Sequence, residues 1–127
     1  MTNEKDFLPY DEAYQLNKYG YNEPCLKYMA IMAGGEHNGD YYVHEKKLGL
    51  PLYSQAFRFF REKYNLSSNI IYRVNIDDGG VCYDWLILGQ DVKYRHFNTY
   101  EDAEIACLRR LIEIVKNKTH DSGRMVN

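Results

Sequence analysis

The sequence predicts an α+β fold: a single domain with a mainly antiparallel sheet of three to five strands and helices packed on at least one face. Segments 51–66 and 99–118 carry apolar residues at helical spacing. Three short segments between them alternate as strands do, and glycine-containing turns lie between the strands. The predicted order is α-β-β-α-β-β-β-α over residues 1–127, with disordered ends at 1–8 and 119–127.

The first predicted helix covers residues 9–19. Pro9 suits the first helical position, because its missing N–H needs no partner there. Ala13 and Leu16 recur at helical spacing, and Gly20 is a natural C-terminal stop.

The next segment, 25–32, is mostly apolar and follows Pro24, so it is predicted to be a strand, although its Leu, Met and Ala residues also suit a helix. The glycine-rich stretch 34–40 has the composition of a loop or hairpin turn. A short strand over 41–44 and a connection over 45–50 follow.

The second helix is predicted over 51–66, with Ser54 as its N-cap. Asn65 can end it in the left-handed conformation. Its apolar stripe comprises Ala56, Phe57, Phe60 and Tyr64.

Three strands follow, over 70–76, 81–88 and 92–97. The Asp-Asp-Gly-Gly sequence at 77–80 is a strong hairpin signal, because glycine adopts positive φ readily. The middle strand is apolar on one face and mainly apolar on the other, which indicates a central strand partly covered on both sides.

The last helix is predicted over 99–118. Thr99 is its N-cap, and Asp102 follows three residues later, as in a capping box. Cys107 falls on its apolar stripe, which predicts an inert core thiol.

Composition is that of an ordinary globular protein: 45% hydrophobic and 27% charged residues, with a net charge of −2. These values exclude a disordered chain and provide no general attraction to nucleic acid or anionic lipid. No apolar run approaches the roughly 20 residues that span a bilayer, and the polar N-terminal segment has no secretory h-region. We therefore expect a cytoplasmic protein that does not associate with membranes.

Tyrosine is unusually frequent: thirteen Tyr contribute to an aromatic content of 15%. Two interpretations stay open, a Tyr-rich core and sheet surface or an exposed aromatic binding face. Such a face would contact another protein or form a homodimer interface. The candidate contact residues, expected to remain partly exposed, are Tyr19, Tyr21, Tyr41, Tyr42 and Tyr53.

Cysteine and histidine supply little recognisable chemistry. Cys25, Cys82 and Cys107 lie far apart and are odd in number, so we expect small buried hydrophobic side chains, with disulfide or metal use as the lesser alternative. One loop segment holds donors suited to zinc or iron, but their spacing fits no standard metal motif, and a polar hairpin loop is the favoured interpretation. These donors are Glu36, His37, Asp40 and His44. The sequence therefore predicts no metal and no cofactor.

Other polar residues also lack a catalytic arrangement. Asp77 and Asp78 could serve acid–base chemistry or cation binding, but turn chemistry explains their position. His96 lies beside Lys93 and Arg95, which makes it a weak candidate for a base. Because nucleophile, base and orienting group do not occur together, we predict that the protein is not an enzyme.

The order helix, three strands, helix over about half of the chain resembles double-stranded-RNA-binding domains in topology. That family reads RNA partly with lysines at the start of its last helix, whereas segment 99–104 is acidic here and would repel phosphate. RNA binding would therefore need another face, formed by Arg58, Arg61, Lys63, Lys93 and Arg95.

A second resemblance involves the sequence itself. Segments 7–25 (FLPYDEAYQLNKYGYNEPC), 50–66 (LPLYSQAFRFFREKYNL) and 99–118 (TYEDAEIACLRRLIEIVKNK) resemble small uncharacterised proteins carried by phages and mobile elements of anaerobic gut bacteria. The resemblance implies such an origin and a cytoplasmic setting, and it implies no activity.

The leading functional prediction is a non-enzymatic accessory protein that binds another protein. The alternatives are a nucleic-acid-binding accessory protein and, third, a small metal-dependent enzyme built on segment 36–44.

Overall fold

The computed structural model describes residues 4–37, 40–74, 76–90 and 95–124, and this part of the chain contains three α-helices and four strands. The α+β class is confirmed, in the order α-β-β-α-β-β-α. Instead of one sheet of three to five strands, the described residues form two antiparallel sheets of two strands each.

The chain divides into two compact units, Met1–Gln55 and Ala56–Asn127. That they form one domain stays a prediction.

In the first unit, helix α1 (Tyr10–Lys18) lies where the sequence predicts it, and Pro9 precedes it in an extended conformation. Its buried residues are Ala13 and Leu16, and it packs against the second strand of this unit. Gly20 has a φ of +107°, which allows the chain to reverse after the helix. Residues 4–8, expected to be disordered, form a 3-10 turn over Glu4–Asp6 and bury Leu8.

The first sheet is a long hairpin of β1 (Lys27–His37) and β2 (Asp40–Leu50), paired along its whole length. The loop predicted over 34–40 and the connection predicted over 45–50 are therefore wrong for most of their residues. Gly34 and Gly35 stand in the strand opposite Val43 and Tyr42. β-branched and aromatic residues favour strands, and pairing satisfies the backbone groups that a loop would leave to water, so strand formation prevails over the glycine signal.

Helix α2 (Tyr53–Tyr64) begins before the predicted N-cap, so Ser54 is an ordinary helical residue. The Leu52 N–H instead donates to Gln55 Oε1 at 2.9 Å, a bond back to the helix start like that of a capping box. Asn65 has a φ of +56°, which confirms the predicted left-handed end of the helix.

The second sheet is the hairpin of β3 (Ser68–Val74) and β4 (Val81–Ile87). The predicted turn is confirmed, because Gly79 has a φ of +72° and the Gly80 N–H donates to Asp78 Oδ1 at 2.7 Å. Of the third strand predicted here, residues 92–94 lie outside the described part of the chain. Phe97 makes an isolated bridge to Tyr83, in which each N–H donates to the other's carbonyl at 2.8 Å.

Helix α3 (Tyr100–Arg124) packs against β3 and β4. The Asp102 N–H donates to Thr99 Oγ1 at 3.1 Å, which confirms Thr99 as the N-cap. The helix continues past the predicted end at residue 118. No helix in the described residues combines the length and apolarity needed to cross a membrane.

Candidate functional site

The two faces of the β3–β4 hairpin have different chemistry. Antiparallel pairing sets Tyr72 opposite Tyr83 and Val74 opposite Val81, so these four side chains share one face. Arg73 stands opposite Cys82 on the other face. The hairpin therefore presents an apolar face and a polar face.

The apolar face changes from buried to exposed along its length. Trp85 and Ile87 are less than a tenth exposed, whereas Tyr72, Val74 and Val81 are each more than half exposed. Ile76, in the turn, is 97% exposed. We call Tyr72, Val74, Ile76 and Val81 the apolar surface; exposed apolar residues grouped in this way are typical of a contact site.

Aromatic contacts hold one edge of the apolar surface. The Tyr72 and Tyr83 rings pack edge-to-face with centroids 5.4 Å apart, and Tyr83 packs in the same way on Tyr100, at the start of α3, at 6.1 Å. Edge-to-face packing stabilises such pairs, so contact with Tyr83 restricts the position of the Tyr72 ring.

On the polar face, three potential metal ligands come together. Cys82 and Asp84 belong to β4, and His96 lies beyond the end of that strand in the sequence. One donor atom from each residue lies within 4.8 Å of the other two. Cys82 Sγ is 3.4 Å from His96 Nδ1, and Asp84 Oδ2 is 3.3 Å from the same nitrogen. We call these residues the Cys82–Asp84–His96 cluster.

Asp84 is the centre of the cluster and is only 1% exposed. Its Oδ1 accepts backbone hydrogen bonds from Arg95 at 2.9 Å and His96 at 2.8 Å. Oδ2 accepts no hydrogen bond in the described part of the chain, although Arg73 Nε lies 3.9 Å from it. The carboxylate is thus oriented by one oxygen while the other faces Cys82 and His96.

His96 adopts a φ of +57°, a left-handed conformation that is uncommon for residues other than glycine. Two successive N–H groups, those of Arg95 and His96, point at the same carboxylate oxygen and form an anion-binding concavity. The hydrogen bonds to Asp84 therefore support the left-handed residue and set the position of its imidazole.

A cavity of about 630 Å³ opens beside the cluster, and Cys82 and His96 are among its lining residues. Its wall also includes Asp77 and Asp78 from the turn, together with Arg73. Two members of the cluster are therefore accessible to a solute, while Asp84 lies behind them.

The predicted tyrosine face is placed in the first unit. Tyr19 and Tyr53 are half-buried, as expected for partly exposed rings. The expected exposure is wrong for Tyr21, which is only 5% exposed. Its N–H donates to the Leu16 carbonyl, and this hydrogen bond turns the chain back over the end of the helix. Tyr41 and Tyr42 are residues of β2 whose side chains lie outside the described part. The binding role of all five stays a prediction.

The metal ligands considered in segment 36–44 lie in the β1–β2 hairpin rather than in a loop. His37 pairs with Asp40, and His44 with Ala33, in the strand register. The side chains of this segment, Glu36 included, lie outside the described part of the chain.

The remaining predicted residues are surface residues of the second unit. Arg58, Arg61 and Lys63 are exposed on α2, and Arg95 is exposed beside the cluster; Lys93 lies outside the described residues. Asp77 and Asp78 are exposed in the turn, as turn chemistry predicts.

The three cysteines differ. All three are free thiols, but Cys25 and Cys82 are only half-buried, so the expectation of buried side chains is wrong for both. Cys82 points at an imidazole and a carboxylate instead of an apolar core. Cys107 is fully buried, as predicted.

Burial raises the pKa of the Cys107 thiol to about 11 from its ordinary value of 9.0. Between these values the unfolded chain loses the thiol proton and the folded chain keeps it, so the free energy of unfolding falls as pH rises. We expect this thiol to account for about 2 kcal/mol of that fall by pH 11. Urea unfolding at pH 8 and 10.5 should show a smaller loss in Cys107→Ala than in the unaltered chain; equal losses would contradict the prediction.

Sequence reasoning missed the cluster because its members are separated and match no motif. Alternation along β4 does place Cys82 and Asp84 on one face. A third strand was predicted over 92–97, but neither its register against β4, which the bridge between Tyr83 and Phe97 sets, nor the left-handed backbone of His96 could be predicted.

Comparison of the chain with protein-family models, with curated proteins and with solved structures finds no match.

Proposed function

We propose that the chain is a non-enzymatic, cytoplasmic accessory protein of a phage or mobile element, and that it binds another protein through the apolar surface. The observation that carries the binding role is the exposure of Tyr72, Val74, Ile76 and Val81 at one end of a sheet face whose other end is buried. The resemblance of segments 7–25, 50–66 and 99–118 supports the proposed origin.

The apolar surface has the features of a contact site. Burying a Val or Ile side chain contributes about 1.5–3 kcal/mol, so we expect these residues to form the energetic centre of a larger contact. Tyr72 adds a rigid ring, supported by Tyr83, and aromatic residues are enriched at protein interfaces.

Charge around the apolar surface indicates the chemistry of the partner. Asp77 and Asp78 are exposed directly after Ile76, so the turn end of the surface is acidic. Complementary charge at the edge of an interface guides association and disfavours wrong partners. The partner we propose is therefore a protein with an apolar contact surface bordered by Lys or Arg.

Ile76→Asp is expected to abolish capture of the partner, because it places a charge on the most exposed residue of the apolar surface. The measurement is a pull-down of tagged protein from bacterial lysate, with and without nuclease, read by mass spectrometry. We expect the unaltered chain to retain a protein with a basic surface, in the presence and in the absence of nuclease. The amount of this protein that is recovered should be at least about tenfold lower with the variant.

Leu88→Asp is the matched control, since Leu88 is also an exposed aliphatic turn residue (76% exposed) but lies at the other end of β4. The control should retain the partner. Equal loss in both variants, or capture that disappears with nuclease, would contradict the proposal; the second result would favour nucleic-acid binding through the basic residues of α2.

A further inference from the structure

The Cys82–Asp84–His96 cluster has the dimensions of a metal site. With Zn–S of about 2.3 Å, Zn–N of about 2.05 Å and Zn–O of about 2.1 Å, tetrahedral geometry sets S···N at about 3.6 Å and N···O at about 3.4 Å. The distances here are 3.4 Å from Cys82 Sγ to His96 Nδ1 and 3.3 Å from Asp84 Oδ2 to the same nitrogen. The ligand atoms therefore need little rearrangement to surround one ion.

Asp84 supplies an independent observation. Only 1% of Asp84 is exposed, and its Oδ2 accepts no hydrogen bond among the described residues, although His96 Nδ1 lies 3.3 Å and Arg73 Nε 3.9 Å from it. A buried polar atom without a hydrogen bond is unfavourable unless another partner stabilises it. A cation between Oδ2 and the two neighbouring donors would be such a partner, while Oδ1 keeps its hydrogen bonds to the Arg95 and His96 N–H groups.

The arrangement does not suit a cysteine nucleophile. In a nucleophile–histidine–carboxylate triad, the nucleophile and the acid contact opposite nitrogens of the imidazole. Here both Cys82 and Asp84 approach Nδ1, and one nitrogen cannot donate a proton to the carboxylate and accept one from the thiol together. Three donor atoms within 4.8 Å of one another are instead close enough to share one ion.

We propose that Cys82 Sγ, Asp84 Oδ2 and His96 Nδ1 bind a zinc-class divalent ion, with the fourth position open to the adjoining cavity. Sulfur, nitrogen and carboxylate oxygen together suit zinc, and three protein ligands leave one place for water or a solute. The thiol proton passes to solvent when the ion binds.

The neighbouring guanidinium is compatible with this site. A divalent ion with one thiolate, one carboxylate and a neutral imidazole has no net charge, so Arg73, with Nε 3.9 Å from Asp84 Oδ2, meets no net positive charge. The ligating side chains and the apolar surface lie on opposite faces of the hairpin, but Val74, Ile76 and Val81 also line the adjoining cavity, so the two proposed sites share that cavity.

Cobalt titration of the metal-free full chain tests the site. Tetrahedral Co²⁺ has visible absorption bands, and a thiolate ligand adds a near-ultraviolet charge-transfer band. We expect both bands to saturate at one ion per chain and to disappear when Zn²⁺ displaces Co²⁺. Cys82→Ser should remove the charge-transfer band. Cys25→Ser, the matched control with another half-buried cysteine, should keep it.

His96→Asn provides a second variant that keeps the backbone conformation, because Asn tolerates the left-handed region. It removes the imidazole, so the affinity for Co²⁺ should fall at least about tenfold while far-ultraviolet circular dichroism stays unchanged. Zn²⁺ should raise the Tm of the unaltered chain and not that of His96→Asn.

Three results would overturn the proposal: no charge-transfer band in the unaltered chain, loss of the band in Cys25→Ser, or an unchanged affinity in His96→Asn. A fourth result would also overturn it: the chain binds Co²⁺ without a thiolate band, and this binding is lost in a His37→Asn/His44→Asn double variant. The ion would then belong to the β1–β2 hairpin.

Discussion

Phe60→Ala is expected to lower the free energy of unfolding by about 3–5 kcal/mol, the usual range for removing a buried phenylalanine ring. Phe60 is fully buried, and its ring centroid lies 5.4 Å from that of Phe59 and 6.2 Å from that of Tyr64. The substitution removes the ring from the buried side of α2 and leaves a cavity. Because domains are stable by about 5–15 kcal/mol, this is a large fraction of the total.

Urea unfolding followed by circular dichroism measures this effect. Arg61→Ala is the matched control on the same helix, because Arg61 is exposed and its substitution should change stability by less than about 0.5 kcal/mol. A loss below about 1 kcal/mol in Phe60→Ala would contradict the buried position of the ring.

Asp84→Ala is expected to lower the free energy of unfolding by about 3 kcal/mol even in metal-free protein, because hydrogen bonds to a charged group contribute about 1.5–3 kcal/mol each. Its Oδ1 accepts two of them, from the N–H groups of Arg95 and His96. Removing the carboxylate also withdraws support from the left-handed backbone of His96.

Asp84→Asn is the matched comparison, since an amide oxygen can still accept both backbone hydrogen bonds while the negative charge is removed. We expect it to lose less stability than Asp84→Ala when both are unfolded in urea with a chelator present, because two neutral hydrogen bonds of about 0.5–1.5 kcal/mol each remain. Equal losses would mean that charge, and not the pair of backbone bonds, is what Asp84 contributes.

Helix positions were predictable because their signals are local. Thr99 begins α3 with one side-chain hydrogen bond, and Asn65 ends α2 with one left-handed residue. Both act as predicted. The turn at 77–80 is local in the same sense. Ser54 failed as an N-cap because the bond from the Leu52 N–H to Gln55 Oε1 starts the helix two residues earlier.

The extent of the strands was not predictable in the same way, because a strand is stabilised by its partner. Gly34 and Gly35 look like a turn in isolation, yet the opposite strand continues past them. Alternation along β3 also suggests that Tyr72 and Val74 are core residues. Only the structure shows that both are exposed.

The α+β class, the three helices with most of their ends, the β3–β4 turn and the buried state of Cys107 could be predicted, because they depend on residues within a few positions of one another. Which aromatic and aliphatic residues are exposed, and that Cys82, Asp84 and His96 meet, follows only from contacts between distant residues. The approach of His96 to β4 depends on pairing between Tyr83 and Phe97, a contact across fourteen residues that no local pattern specifies.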